Sequence, residues 1–344
     1  MFAAMIVNLY STLREPPEIE FEHELILHRQ FGDAELVTHL GEMMGIACDG
    51  GRREMSPPLY GVMRHLERTK HHYRLQVDPD AMDPLAVWGW ESNVIVKMSD
   101  DSFRDPAGRI LVHGDTGEAE GNATVPYPID AIARSGEVRE ALAAMGIDTT
   151  SELPPVFGEG EVILRPDDEV GWRTLAVFIT AVRAESLATG KPISYDQLKA
   201  KSPMAFEALS PAERKFMETY PPDEQSIFNF AWRYEALYTL QWALGLHSEL
   251  TFANEICDVP KVAEIMVSRP DREIVTSARL RPVSQILDAL EMNQHLLWIA
   301  RNATIQQHEV PAGIDGGVLS ERQHALNWLV QFGGAVWDDI DTPT

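Results

Sequence analysis

The chain of 344 residues has only two cysteines, Cys48 and Cys257, and no C-x-x-C pair. Two thiols so far apart give neither a disulfide scaffold nor a zinc-thiolate cluster, and they fit a reducing compartment. No run approaches 18 apolar residues, so no membrane-spanning helix is expected. The opening ten residues lack the basic start and long apolar stretch of a secretory leader, which makes the cytoplasm the expected location. Basic residues are scarce as well: 29 Lys and Arg stand against 53 Asp and Glu, a net charge of −24. That surplus opposes phosphate backbones and anionic membrane surfaces, so neither nucleic acid nor membrane is an expected partner. Residues 1–150 hold 13 basic and 25 acidic side chains and residues 151–344 hold 16 and 28, so each part carries −12. The even spread describes an acidic surface and not an acidic arm. The phosphate-cradling G-x-x-x-x-G-K-[ST] and G-x-G-x-x-G strings and the nucleophile elbow G-x-S-x-G are missing too, which removes the enzyme classes built on them.

What is present is an ordinary globular composition, 44% hydrophobic and 24% charged, at a length that suits two domains. Residues 5–11 are β-branched and aromatic enough for a first strand, and 19–27 alternate at the strand period, as do Tyr73, Leu75 and Val77. Helical spacing governs 33–44 and the stretch opened by Pro57. A turn at Asp105-Pro106-Ala107-Gly108 predicts a hairpin between 94–98 and 109–112. Residues 1–115 therefore read as an α+β domain with an antiparallel sheet, and Gly-, Pro- and acid-rich residues 116–169 as a linker with one short helix at 131–145. Residues 170–344 read as a mainly α-helical domain, with helices at 172–189, from Ser210, and at 226–246, 260–267, 282–303 and 318–332. Ser210-Pro211-Ala212-Glu213 has the pattern of a capping box with Pro at the first helical position.

Several strings resemble motifs but miss their spacing. His23-Glu24-Leu25-Ile26-Leu27-His28 has one residue too many for H-E-x-x-H, and Asp115-Thr116-Gly117 lies among Gly and Glu with no second copy. The one basic cluster, from Arg64 to Arg74 with three histidines, spans a helix C-terminal end and reads as a solvated charge run. The segment 226–246 is apolar nearly all round, which predicts a central helix. Arg233 and Glu235 on it must then be paired, with Asp288, Glu291, Glu321, Arg322, Asp338 and Asp339 as candidates. A structural charged network of Arg233, Glu235, Asp288, Glu321, Arg322 and Asp338 is the reading this favours. Glu321-Arg322-Gln323-His324 also forms an E-x-x-H, the spacing by which one helix offers a carboxylate and an imidazole to a metal, and Glu291 with His295 is a second such pair at i,i+4. A catalytic reading would draw on Glu235, Glu321, His324, Asp338 and Asp339.

The strings Trp232-Arg233-Tyr234-Glu235-Ala236-Leu237, Gln241-Trp242-Ala243-Leu244, Ile286-Leu287-Asp288, Trp298-Ile299-Ala300, Glu321-Arg322, Ala325-Leu326-Asn327-Trp328-Leu329 and Trp337-Asp338-Asp339 resemble a bacterial family catalogued as domain of unknown function 4272. The resemblance covers about 170–344, and Val7-Asn8-Leu9-Tyr10-Ser11 and Ser92-Asn93 are similar to N-terminal parts of longer members. It implies no activity and no cofactor. It does imply a histidine where this chain has Leu297 and another where it has Gln323, whereas Arg233, Glu235, Glu321, Arg322, Asp338 and Asp339 match. The expectation is a protein that binds a protein partner or small ligand, with a metal-assisted or carboxylate-based hydrolase as the alternative.

Overall fold

The computed structural model describes residues 5–150 and 153–343. By its contacts the chain divides into two units, one of residues 1–133 and 150–162 and one of 134–149 and 163–344.

The first unit is built on a six-stranded antiparallel sheet. In chain order its elements are β1 (Met5–Ser11), β2 (His23–Gln30), α1 (Ala34–Ala47), α2 (Pro57–Arg68), β3 (His71–Val77), α3 (Met82–Glu91), β4 (Val94–Lys97), β5 (Phe103–Arg104) and β6 (Ile110–Val112). The strands lie in the order β2-β3-β1-β4-β5-β6. Central β1 contributes apolar side chains to both faces, Val7 and Leu9 to one and Tyr10 to the other, because helices cover both. Val7 and Leu9 join Leu75, Val94, Val96 and, from α3, Leu85 and Trp88. Tyr10 joins Ile95 and Phe103 with Leu36 and Leu40 of α1 and Leu59, Val62 and Leu66 of α2.

Three sequence expectations change here. The second strand begins at His23 and not at residue 19, and as an edge strand it leaves Leu25 and Ile26 exposed, with a bulge between Leu25 and Leu27. The turn at 105–108 joins β5 to β6, since β4 pairs with Phe103–Arg104 and not across the turn. The basic cluster is solvated only in part: Arg74 is exposed and Arg64, Lys70 and His71 are half-buried, but the other three are not solvated. His65 Nε2 donates to the Tyr10 carbonyl at 2.9 Å, Arg68 donates to the Val156 carbonyl at 3.3 Å, and His65, Arg68 and His72 are all buried.

The helical elements that follow are α4 (Ile129–Ala144), α5 (Asp167–Ala188), α6 (Tyr195–Lys201), α7 (Pro203–Glu207), α8 (Pro211–Glu218), α9 (Glu224–Ala231), α10 (Arg233–Ala243), α11 (Val259–Val267), α12 (Asp271–Thr276), α13 (Val283–Ile305) and α14 (Gly316–Leu329). α10 lies against α5 and α14, and α14 lies against α13. The expected helix over 226–246 is two helices that meet at Trp232. Only the second is central: Tyr234 through Ala243 are all buried, while α9 buries none of its residues. Among the described residues no helix is long and apolar enough to cross a membrane.

Candidate functional site

Two ion pairs join α10 to α14. Arg322 Nε donates to Glu235 Oε2 at 3.2 Å, and both side chains are buried. The other Glu235 oxygen accepts from the backbone N–H of Cys257, and Arg322 also donates to the Thr251 carbonyl. Both partners of the pair are thus bonded to the loop after α10. A buried charge is tolerable when it is paired and hydrogen-bonded in this way, and removing one partner would leave the other uncompensated. Burial, with the Glu235 carboxylate beside it, pushes the Cys257 thiol up, away from thiolate chemistry. The second pair, Arg233 with Glu321 at 3.1 Å, is more open. Burial raises the Glu321 carboxyl against the pull of Arg233.

Trp337 is where the remaining groups meet. The guanidinium of Arg173 lies 5.0 Å and that of Arg233 5.7 Å from its ring centroid, distances at which the indole quadrupole attracts a cation. The rings of His324 and Trp328 meet Trp337 edge-on at 4.5 and 5.3 Å. Burial first, then Arg233 and Arg173, push the His324 imidazole down to about 3, and its Nε2 has no hydrogen-bond partner among the described residues. Arg173 itself is ion-paired with Glu213 in the interior. Glu213 serves twice, because it also completes the expected capping box of α8 by accepting from the Ser210 N–H at 2.9 Å. Asp338 accepts from the Ala212 N–H at 2.8 Å in the first turn of the same helix, and Asp339 is exposed.

Beside Trp337 opens a cleft of about 600 Å³, bounded by the tryptophans Trp172, Trp328 and Trp337 together with Arg165, Arg173 and Ser210. Four carboxylates, Asp168, Glu169, Glu207 and Asp338, share its rim. Arg165 is taken up by Glu169 at 2.9 Å and lies over the Trp328 ring at 4.7 Å.

The other candidates lie apart from these contacts. Asp288 pairs with Arg134 at 3.0 Å. Glu291 and His295 are both fully buried and meet at 3.1 Å, with Thr149 and Ser135 as further partners of the same imidazole. Among the described residues no group of three His, Cys, Asp or Glu side chains is placed to hold a metal ion. Arg173, Glu213 and Trp172 are not among the site residues the sequence suggests, where Glu213 reads only as a helix cap. The available signal was an arginine, Arg173, inside the apolar stretch of α5, where a charge needs a partner.

A family model described as a domain of unknown function, DUF4272, matches residues 134–340. No curated protein and no solved structure matches the chain.

Proposed function

The chain belongs to the DUF4272 family, a domain of unknown function, and we propose that it is a binding protein whose cleft beside Trp337 takes a small ligand with an ammonium, amidinium or guanidinium group on an apolar body. The observation that carries this reading is the mixture in the cleft. Three indoles stand with carboxylates that exceed the arginines able to neutralise them: Arg165 is engaged by Glu169 and Arg173 by Glu213, while Asp168 and Glu207 have no ion-pair partner among the described residues. Carboxylates favour a cation, and so does the indole of Trp172, the one of the three that carries no guanidinium of the protein's own among the described contacts; the volume falls within the roughly 300–1,000 Å³ of ordinary ligand sites. Arg233, paired with Glu321, lies over the ring of Trp337 that bounds the cleft. As for the hydrolase alternative, Glu321 is bonded to Arg233 and Asp338 to an amide, and protonation of His324 is opposed by burial.

Calorimetric titration with three compounds of one size checks this: benzamidine, benzyl alcohol and benzoate. Benzamidine binds with a Kd of about 1 mM, as suits a ligand of its size, the alcohol binds more weakly and benzoate does not bind. The double variant Asp168→Asn, Glu207→Gln loses the preference for the cation. Equal binding of benzoate and benzamidine, or no saturable binding of benzamidine, would reject the proposal.

A further inference from the structure

Five arginines are buried among the described residues: Arg68, Arg134, Arg173, Arg183 and Arg322. Four of them are ion-paired, Arg68 with Glu161, Arg134 with Asp288, Arg173 with Glu213 and Arg322 with Glu235. Arg183, in the C-terminal half of α5 and only 3% exposed, has no carboxylate at ion-pair distance among the described residues. Its terminal nitrogens donate to the carbonyls of Ile193 at 3.3 Å and Thr219 at 3.1 Å, which ties the loop after α5 to the end of α8. Those bonds account for its place in the fold and leave its charge uncompensated, since a carbonyl carries no net charge. Nε has no hydrogen-bond partner among the described residues, and burial pulls the guanidinium down from its ordinary value. A guanidinium has five N–H donors and only two are used here, while a buried cation without a counter-ion is costly.

Arg183 borders a cleft of about 510 Å³ whose other lining residues come from the loop after α5, the start of α6 and the end of α8. The cleft is reachable from solvent, because Tyr220 at its edge is 75% exposed and Tyr195 is half-buried. Two carboxylates, Asp196 and Glu218, also line it, are exposed, and have no ion-pair partner among the described residues. Lys199 lies over the Tyr195 ring at 5.6 Å and pairs with neither. Apolar surface comes from Ile193, Met217 and the two phenol rings. A simple anion would meet Asp196 and Glu218 as well as Arg183, and a simple cation would meet the reverse. A zwitterion satisfies charges of both signs, and the volume is that of an ordinary ligand site.

We infer that this cleft binds a free α-amino acid with an aromatic or large apolar side chain. The carboxylate meets the terminal nitrogens of Arg183, the ammonium meets Asp196 and Glu218, and the side chain lies against Tyr195 and Tyr220. The site shares no lining residue with the cleft beside Trp337, so it stands if the cation-binding reading falls.

The test is methyl NMR on the full chain, read at Ile193 and Met217, which line this cleft and not the other. Three related probes are compared: L-phenylalanine, phenethylamine, which lacks the carboxylate, and 3-phenylpropionate, which lacks the ammonium. L-Phenylalanine shifts both signals saturably with a Kd of about 1 mM, as suits a ligand of its size, and the other two bind at least about tenfold more weakly. The double variant Asp196→Asn, Glu218→Gln changes two exposed positions, and in it L-phenylalanine loses its advantage over 3-phenylpropionate. Arg183→Gln keeps donors for the two carbonyls without the charge, and in it the advantage over phenethylamine is lost. Equal binding of the three probes in wild type overturns the inference, as does the absence of a saturable L-phenylalanine shift up to about tenfold above that Kd. An advantage over 3-phenylpropionate that survives in the folded double variant overturns it as well.

Discussion

Burial and the guanidinium groups of Arg233 and Arg173 move the His324 imidazole from 6.5 to about 3, so this side chain makes stability depend on pH in a defined direction. The unfolded chain takes up the proton below pH 6.5 and the folded chain only near pH 3. The stability His324 contributes is therefore complete above pH 6.5 and falls as the pH drops toward 3, by about 1.4 kcal/mol per pH unit. His324→Leu removes the titrating group and suits a site where Nε2 has no hydrogen-bond partner among the described residues. Urea denaturation at several pH values between 4 and 7 checks this. The variant's stability curve should be flatter than that of wild type by that slope, and parallel curves would mean that the imidazole is protonated in the folded state. His65 and His72, also driven down to about 3 mainly by burial, add the same sense of acid sensitivity in the sheet unit.

Helices whose ends carry their own chemistry were legible as elements, and helices that end without it were not. The start of α8 was written in four residues, because a capping box satisfies its orphan amides locally. The break between α9 and α10 was not. Trp232 keeps helical backbone angles of −67° and −17°, with neither Pro nor Gly, and the apolar pattern runs through it unbroken. What separates the two helices is the backbone ladder, in which the Glu235 N–H bonds to the Trp232 carbonyl three residues back, and no residue type marks that step. The edge strand β2 misled because its alternation places apolar Leu25 outward. At the site, the Arg173–Glu213 pair spans 40 residues of chain, and Glu213 already had a sufficient local explanation as a cap.

Close approach between elements makes a prediction that helix propensity alone would reverse. Gly171 in α5 faces the end of α12, where an added Cβ would lie 2.9 Å from Val275 Cα and 3.1 Å from the Ile274 carbonyl oxygen. Both are backbone atoms and cannot swing aside. Alanine gains about 1 kcal/mol of propensity over glycine, but overpacking against fixed backbone costs about 1–3 kcal/mol. Gly171→Ala should lower the denaturation midpoint, and an unchanged or raised midpoint would show that α12 moves freely against α5.

At the scale of the whole molecule the dominant quantity is charge. Residues 151–344, which include the lining of the cleft, carry −12 of the net −24, an excess of one sign. That excess attracts cations to the Trp337 cleft and opposes polyanions before any contact is made. Long-range attraction and the contact with Asp168 and Glu207 differ in how they respond to salt. The screening length shrinks from about 10 Å at 0.1 M to about 3 Å at 1 M, so attraction to distant charges disappears while contact within the cleft survives in part. Benzamidine affinity should therefore fall several-fold as NaCl is raised over that range and then level off, whereas binding of benzyl alcohol should stay constant or strengthen slightly. In the variant Asp168→Asn, Glu207→Gln the fall persists but the plateau drops to that of the alcohol, because the field of the molecule remains and the contact is gone. A salt-independent benzamidine affinity in wild type would place its binding on the indoles alone and remove the carboxylates from the account.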